Sequence, residues 1–262
     1  MSHQPLSVDD AGYFENFESR VQRFVRRGLF MSSLALRRAL SSHRPLAPPD
    51  WLTTPHSTTW ARDPDFSAAY RYSVVGVGED YRIPWRIQTL TWAASQTERL
   101  RGGIVELGTG RGFSMAAVKT FMDLRGMPAR GVWCFDTFVP QRVSGLGDER
   151  HAFAYAHDYE RVASIFNKWP DVVLVEGDVR ETLRSRCPEL ISLLHIDLND
   201  PSVEVWALRE VWGRLEEGAI VVLDDYANMG MEQSAFLMDE VSRELDFPIL
   251  SLPSGQGLFI KT

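Results

Sequence analysis

Ile104-Val105-Glu106-Leu107-Gly108-Thr109-Gly110-Arg111-Gly112 is the stretch on which the reading of this chain turns. Its first half reads as a short buried strand with an acid near its end. Its second half is a glycine-rich turn, and a helix follows over about Phe113 to Leu124. Glycines at alternate positions let the backbone turn tightly and approach a ligand without Cβ clashes. The helix aims its N-terminal amides at the same spot, where negative charge is favoured. An ordinary strand-to-helix turn would have the same composition, so the surroundings have to decide.

Spacing separates two cofactor classes. A dinucleotide-binding turn requires Gly-x-Gly-x-x-Gly, whose third glycine lets helix and strand pack closely. Counted from Gly108, that glycine belongs at Phe113, but it comes one residue early, at Gly112. Glu106 stands two residues before the first glycine. A carboxylate aimed into the pocket repels a pyrophosphate and suits a cationic ligand. The pattern Glu-x-Gly-x-Gly-x-Gly resembles motif I of class I S-adenosylmethionine (SAM) methyltransferases, whose cofactor carries a sulfonium and an ammonium. That resemblance implies cofactor contacts from Glu106, Gly108, Thr109, Gly110 and Ser114.

The 262 residues suffice for one large α/β domain and an N-terminal extension, and 44% apolar content supports a full core. A net charge of −7 without a basic block argues against nucleic acid as the main partner. Cys134 and Cys187 fit a reducing compartment. No signal peptide and no apolar run near membrane-spanning length is visible, so a cytoplasmic, non-spanning protein is expected.

Residues 1–62 read as a helical extension and linker, and 63–262 as the main domain. From Ala11 to Leu40 apolar residues recur at helical spacing, decorated by Arg20, Arg23, Arg26, Arg27, Arg37 and Arg38. Such a helix can lie on an anionic membrane, pack on the domain, or pack on a second subunit of a homo-oligomer. His43 to Pro64 carries five prolines and reads as a linker. A helix from Asp63 through Tyr72 and another over Ile83 to Leu100 precede the first strand. Strand and helix then alternate, which predicts a largely parallel sheet covered on both faces. Strands are expected at 131–135, 172–175, 191–196 and 219–223. The intervening helices are expected at 151–169, 179–186, from Pro201, and 231–245. Phe247 to Leu252 and Gly257 to Lys261 read as a closing hairpin.

Ligands of an open α/β sheet sit outside the carboxyl ends of the strands. Acids stand there five times: Glu106, Asp136, Asp178, Asp197 and the pair Asp224-Asp225. Asp136, followed by Thr137, can accept hydrogen bonds from ribose hydroxyls. Asp178, followed by Val179, can meet an adenine amino group or simply cap the next helix. Asp197, Asp224 and Asp225 end neighbouring strands. Three carboxylates suit a hard ion such as Mg²⁺, with caps and turns as the alternative.

Glu106 to Ser114, Phe135-Asp136-Thr137-Phe138, His195-Ile196-Asp197 and Val222-Leu223-Asp224-Asp225-Tyr226 together resemble the macrocin/mycinamicin O-methyltransferase family. The resemblance implies a Rossmann-like class I methyltransferase fold, a mostly parallel seven-stranded sheet with a C-terminal antiparallel hairpin. It implies Mg²⁺- and SAM-dependent methylation of a hydroxyl on a sugar or similar small acceptor. Family metal ligands carry over to Asp197, Asp224 and Asp225. A second acid common in the family is Asn199 here, and the usual Gly-x-Pro after Asp136-Thr137-Phe138 is replaced by Val139-Pro140. Asp197 is the expected proton acceptor. His195 is an alternative base or a core residue, and Tyr226 is expected to face the acceptor. Two competing readings stay open: a nicotinamide-dependent oxidoreductase, and a non-catalytic, membrane-associated glycan-binding protein.

Overall fold

The computed structural model describes residues 50, 52, 58–139, 159–228 and 230–262. The Arg-rich stretch 11–40, and with it the membrane and subunit readings, lies outside the described residues. Helices α1 (Pro64–Val77) and α2 (Pro84–Gln96) come first. There follow β1 (Gly103–Leu107), α3 (Phe113–Leu124), β2 (Val132–Asp136), α4 (Tyr159–Phe166) and β3 (Val172–Glu176). The second half contains α5 (Val179–Arg186), β4 (Ile191–Ile196), α6 (Pro201–Val211), β5 (Leu215–Leu223), α7 (Glu232–Leu245), β6 (Leu250–Ser251) and β7 (Gly257–Ile260). The sheet runs β3-β2-β1-β4-β5-β7-β6. Only β7 is antiparallel to its neighbours, β5 and β6. This is the seven-stranded, mostly parallel sheet with an antiparallel end that the alternation predicts.

Side chains of a strand alternate between faces, so each buried strand feeds two cores. Ile104, Leu193 and Val222 pack under α1 to α4 with Phe113, Val118 and Ile165. Val105, Leu194 and Leu223 pack on the other face with Leu183, Leu208 and Val241. The parity has a consequence at the sheet end: Glu106, His195, Asp197 and Asp224 all fall on the α1–α4 face.

Local chemistry explains most boundaries. Asp63 caps α1 by accepting from the amides of Asp65 and Phe66, with Pro64 at the first position. Asp178 caps α5 and Asp200 caps α6 in the same way. Several expectations were too short or too long. Helix α1 runs past Tyr72 to Val77, because Gly76 sits where a Cβ would press within 3.3 Å of Ile165, and Gly78 ends it at φ +79°. Strand β5 starts at Leu215, not Ala219. Its Glu216 accepts from the amides of Arg101 and Gly102, and the β4–β5 register shifts between Ile191 and Leu193, as a bulge requires. Strand β6 is two residues long because Phe247 turns inward, stacked 4.0 Å from Phe259. Of the helix expected over 151–169, residues 151–158 lie outside the described residues. Among the described residues, no helix is long and apolar enough to cross a membrane.

Candidate active site

The glycine turn and the ends of β2 and β3 build the first half of the site. Gly108 has φ +90°, and a Cβ there would stand 1.8 Å from the Asp197 carbonyl oxygen. No other residue fits, because this is where the turn after β1 crosses the end of β4. The turn is pinned by the amides of Gly108 and Thr109, which both donate to the Phe135 carbonyl. Asp136 ends β2. Its Oδ2 accepts from the Gly110 amide at 2.7 Å and its Oδ1 from the Phe138 amide at 2.8 Å. Each carboxylate oxygen keeps a free lone pair for a ligand donor. Asp178 caps α5 and also pairs with the Arg180 guanidinium, which holds its carboxyl below the usual range. A cavity of about 320 Å³ opens between these elements, lined by Gly108, Gly110, Asp136, Thr137, Asp178 and Val179 and reaching Asp197. Glu106, Thr109 and Ser114 do not line it. Thr109 is buried at the turn, and Glu106 sits behind it, 1% exposed.

The second half is buried and charged. Glu106 Oε1 lies 3.0 Å from His195 Nδ1, and His195 Nε2 lies 3.4 Å from Asp224 Oδ1. Register makes this pair: Glu106 and His195 are direct partners across β1 and β4. Burial disfavours the charged ring, but the carboxylates of Asp224 and Glu106 outweigh it and push His195 up to about 10. An imidazolium has no lone pair for a proton, so His195 is not the base in this state. Asp197 is the better candidate. Burial and the charges of Asp224 and Asp225 raise its carboxyl well above the ordinary range.

Atoms of His195, Asp197 and Asp224 that can ligate a metal all lie within 4.8 Å of one another. Of the sequence-based set Asp197, Asp224 and Asp225, the first two stand in this group. Asp225 Oδ1 accepts from Asn228 Nδ2 at 3.0 Å and from Arg86 Nη1 at 3.3 Å. Tyr226 also turns away from the site, donating its hydroxyl to Asp239 at 2.5 Å. Asn199 stands over Asp197 as a donor, 3.4 Å from its Oδ1.

Several residues that hold this half together escape sequence reasoning. Arg86 Nη1 donates to Asp224 Oδ2 as well as to Asp225. Burial opposes the charge of Asp224, but Arg86 and His195 prevail and hold its carboxyl below the usual range. Gln256, from the turn between β6 and β7, donates to Asp224 Oδ1 at 2.9 Å. Asp50, expected in a linker, accepts from the Trp85 amide at 2.7 Å. Glu204 is buried near Asp225, and burial together with that charge pushes its carboxyl up to about 7. One signal was available for Arg86: it is the only charged residue in α2, on an otherwise apolar and small-polar helix. A second cavity, about 600 Å³, lies between α2 and the β6–β7 hairpin, walled by Trp85, Trp92, Leu250, Leu252 and Leu258.

The sequence matches the macrocin-O-methyltransferase (TylF) family over residues 83–253. No curated protein matches it. Among solved structures, the fold is similar to that of the O-methyltransferase NovP, with a TM-score of 0.60 and 19% identity, over 78% of this chain and 93% of that one. It is similar to CalS11, the calicheamicin methyltransferase, with a TM-score of 0.52 and 20% identity, over 84% and 99% of the two chains. It is also similar to the O-methyltransferase TomG of Streptomyces achromogenes, involved in tomaymycin synthesis and solved with SAM. There the TM-score is 0.52 and identity 14%, over 78% and 95%.

Proposed function

The chain belongs to the macrocin-O-methyltransferase (TylF) family, and from that premise we propose that it methylates a hydroxyl of a sugar or glycoside, using SAM and a bound Mg²⁺. Family membership makes it an O-methyltransferase and sets aside the oxidoreductase and non-catalytic readings. The observation that carries the finer reading is the convergence of His195, Asp197 and Asp224 at the ends of adjacent strands, beside the glycine-lined cavity. CalS11 is described as a TDP-rhamnose 3'-O-methyltransferase, which supports a sugar as the acceptor.

The residues fit a hard cation. The acids Glu106, Asp197, Asp224 and Asp225 gather there, three of them buried, and outnumber the positive charges of Arg86 and His195. Asp197, Asp224 and Asp225 would hold the ion. When both groups are bound, SAM supplies a methyl on an electron-poor sulfur and the cation acidifies the acceptor hydroxyl.

The chain's own residues do the rest. Asp136 is oriented by two backbone amides to accept from ribose hydroxyls. Val179 and Asp178 border the end of the cavity where adenine fits. Asp197 takes the proton that leaves the acceptor oxygen as the carbon–oxygen bond forms and the carbon–sulfur bond breaks. The apolar cavity between α2 and the hairpin suits the non-sugar part of a glycoside.

A methyl-transfer assay with SAM against glycosides, free sugars and catechols, with and without Mg²⁺, tests this. Transfer to a sugar hydroxyl should stop in EDTA and return with Mg²⁺ or Mn²⁺. Full activity in EDTA, or transfer to catechols alone, overturns the reading.

A further inference from the structure

Arg86 stands where a cation is expected to act. Its Nη1 donates to Asp224 and lies 3.3 Å from Asp225, while its side chain is 14% exposed. A guanidinium cannot be deprotonated in a protein, so it cannot make way for a second cation by losing its charge. Two positive groups competing for the same carboxylate oxygens repel, and the weaker must move. The structure holds a place for it. Asp50 Oδ1 lies 4.0 Å from Arg86 Nε, on a side chain that is fully buried, and that oxygen has no hydrogen-bond partner among the described residues. Its other oxygen is fixed by the Trp85 amide at 2.7 Å, and its own amide donates to the Arg82 carbonyl at 2.8 Å. Asp50 adopts φ +49°, a left-handed conformation costly for a residue with a side chain. A buried carboxylate held in that conformation, with an unmet acceptor beside an arginine, calls for an explanation beyond a loop contact.

We propose that Arg86 is a built-in counter-ion that competes with the divalent cation for Asp224 and Asp225, and that Asp50 receives its guanidinium when the cation binds. The proposal rests on the metal-dependent reading above. It makes Arg86 and Asp50 positioning residues that set the affinity for the cation. In the metal-free protein, Arg86 neutralises acids that would otherwise repel one another. With the cation in place, the Arg86–Asp50 pair leaves no charge unpaired under α2. The movement required is short, because Nε already lies 4.0 Å from Asp50 Oδ1.

The test is Mn²⁺ binding to the full chain, read by the paramagnetic resonance signal of free Mn²⁺ with no acceptor present. Arg86→Gln should bind Mn²⁺ about tenfold more tightly than the wild type, and Asp50→Asn about fivefold more weakly. The decisive arm is the double variant. If Asp50 acts through Arg86, Asp50→Asn has no effect in the Arg86→Gln background. Equal weakening in both backgrounds would mean that Asp50 adds only its field, and overturns the proposal. So does an Arg86→Gln protein that binds Mn²⁺ no more tightly than the wild type. Binding by neither the wild type nor Arg86→Gln would remove the metal-dependent reading itself, a pattern distinct from unchanged binding. Stabilisation by SAM in a thermal melt checks that each variant folds. If Arg86→Gln does not, Arg86→Lys replaces it. Its ammonium is more strongly hydrated and sits on a more flexible stem, so Mn²⁺ affinity should rise by a smaller factor, and no rise overturns the proposal.

Discussion

The carboxyl ends of β1 to β3 and those of β4 and β5 carry acids that are satisfied in opposite ways. Asp136 and Asp178 are partly exposed, and backbone amides of nearby turns orient them: Gly110 and Phe138 for Asp136, Arg180 for Asp178. Asp224 is buried, and its partners are remote in sequence. Arg86 lies 138 residues away and Gln256 lies 32 away. His195 is tied to Glu106 across 89 residues. The first half is thus formed largely by backbone amides of turns near the surface and costs little to build. The second half concentrates charge out of water, where only long-range pairing keeps it ionised. A half-exposed cradle suits binding, and a charged, dry cluster suits chemistry. The contrast says that changes to the β4–β5 end should remove turnover without removing SAM, while changes to the β1–β3 end should do the reverse.

The strongest way to break that contrast is at Asp197. Asp197→Ala should lower kcat by roughly 10²–10⁴-fold, the range of a lost proton acceptor. Calorimetric SAM affinity should stay within about tenfold, because the ribose and adenine contacts lie with Asp136 and Asp178. Loss of SAM binding in this variant would merge the two halves into one. Next comes Gly108, the point where the halves touch. Gly108→Ala should destabilise the fold by about 2–5 kcal/mol, from the left-handed backbone and from overlap with the Asp197 carbonyl. A thermal melt that matches the wild type would mean that the β1 turn and the β4 end are not in contact.

A smaller effect belongs to the cradle. Asp136→Ala should weaken SAM binding by about 1–3 kcal/mol, the cost of ligand hydroxyls and two amides left unpaired. Its kcat at saturating SAM should change far less than that of Asp197→Ala. The smallest effect lies outside both halves and calibrates them. Asp63→Ala removes the cap of α1 and should cost about 1 kcal/mol of stability with kcat unchanged. Amide bonding and Arg125 hold the Asp63 carboxyl below its ordinary value. Its contribution is therefore present above the unfolded value, near about pH 4, and fades as pH falls through the lower folded value. Denaturant melts of both proteins should differ at pH 7 and converge in stronger acid.

The cradle was far more legible in advance than the acid cluster. The spacing of Gly108, Gly110 and Gly112 pointed to a cofactor turn, and an acid after each strand pointed to a site. Helix α5 and strand β4 fall on the residues where caps and apolar runs place them. The charged half was legible only as a list of acids. His195 had a core role and a base role open to it, and Asp225 looked equivalent to Asp224. Arg86 and Asp50 did not register: the lone charge in α2 names no partner along the chain, and Asp50 lies next to prolines.

What the amino-acid order determined by itself is everything that depends on neighbours within a few residues. Period-two and helical patterning, proline and glycine at element ends, and aspartate caps act over one turn of chain, so they can be read along the chain. The tertiary structure alone decided which acid meets which base. The one-to-one register of Glu106 with His195, the crossing of α2 over the ends of β4 and β5, and the return of Gln256 to Asp224 are set by packing. Electrostatic energy depends on distance and burial in space, and neither is a function of separation along the chain.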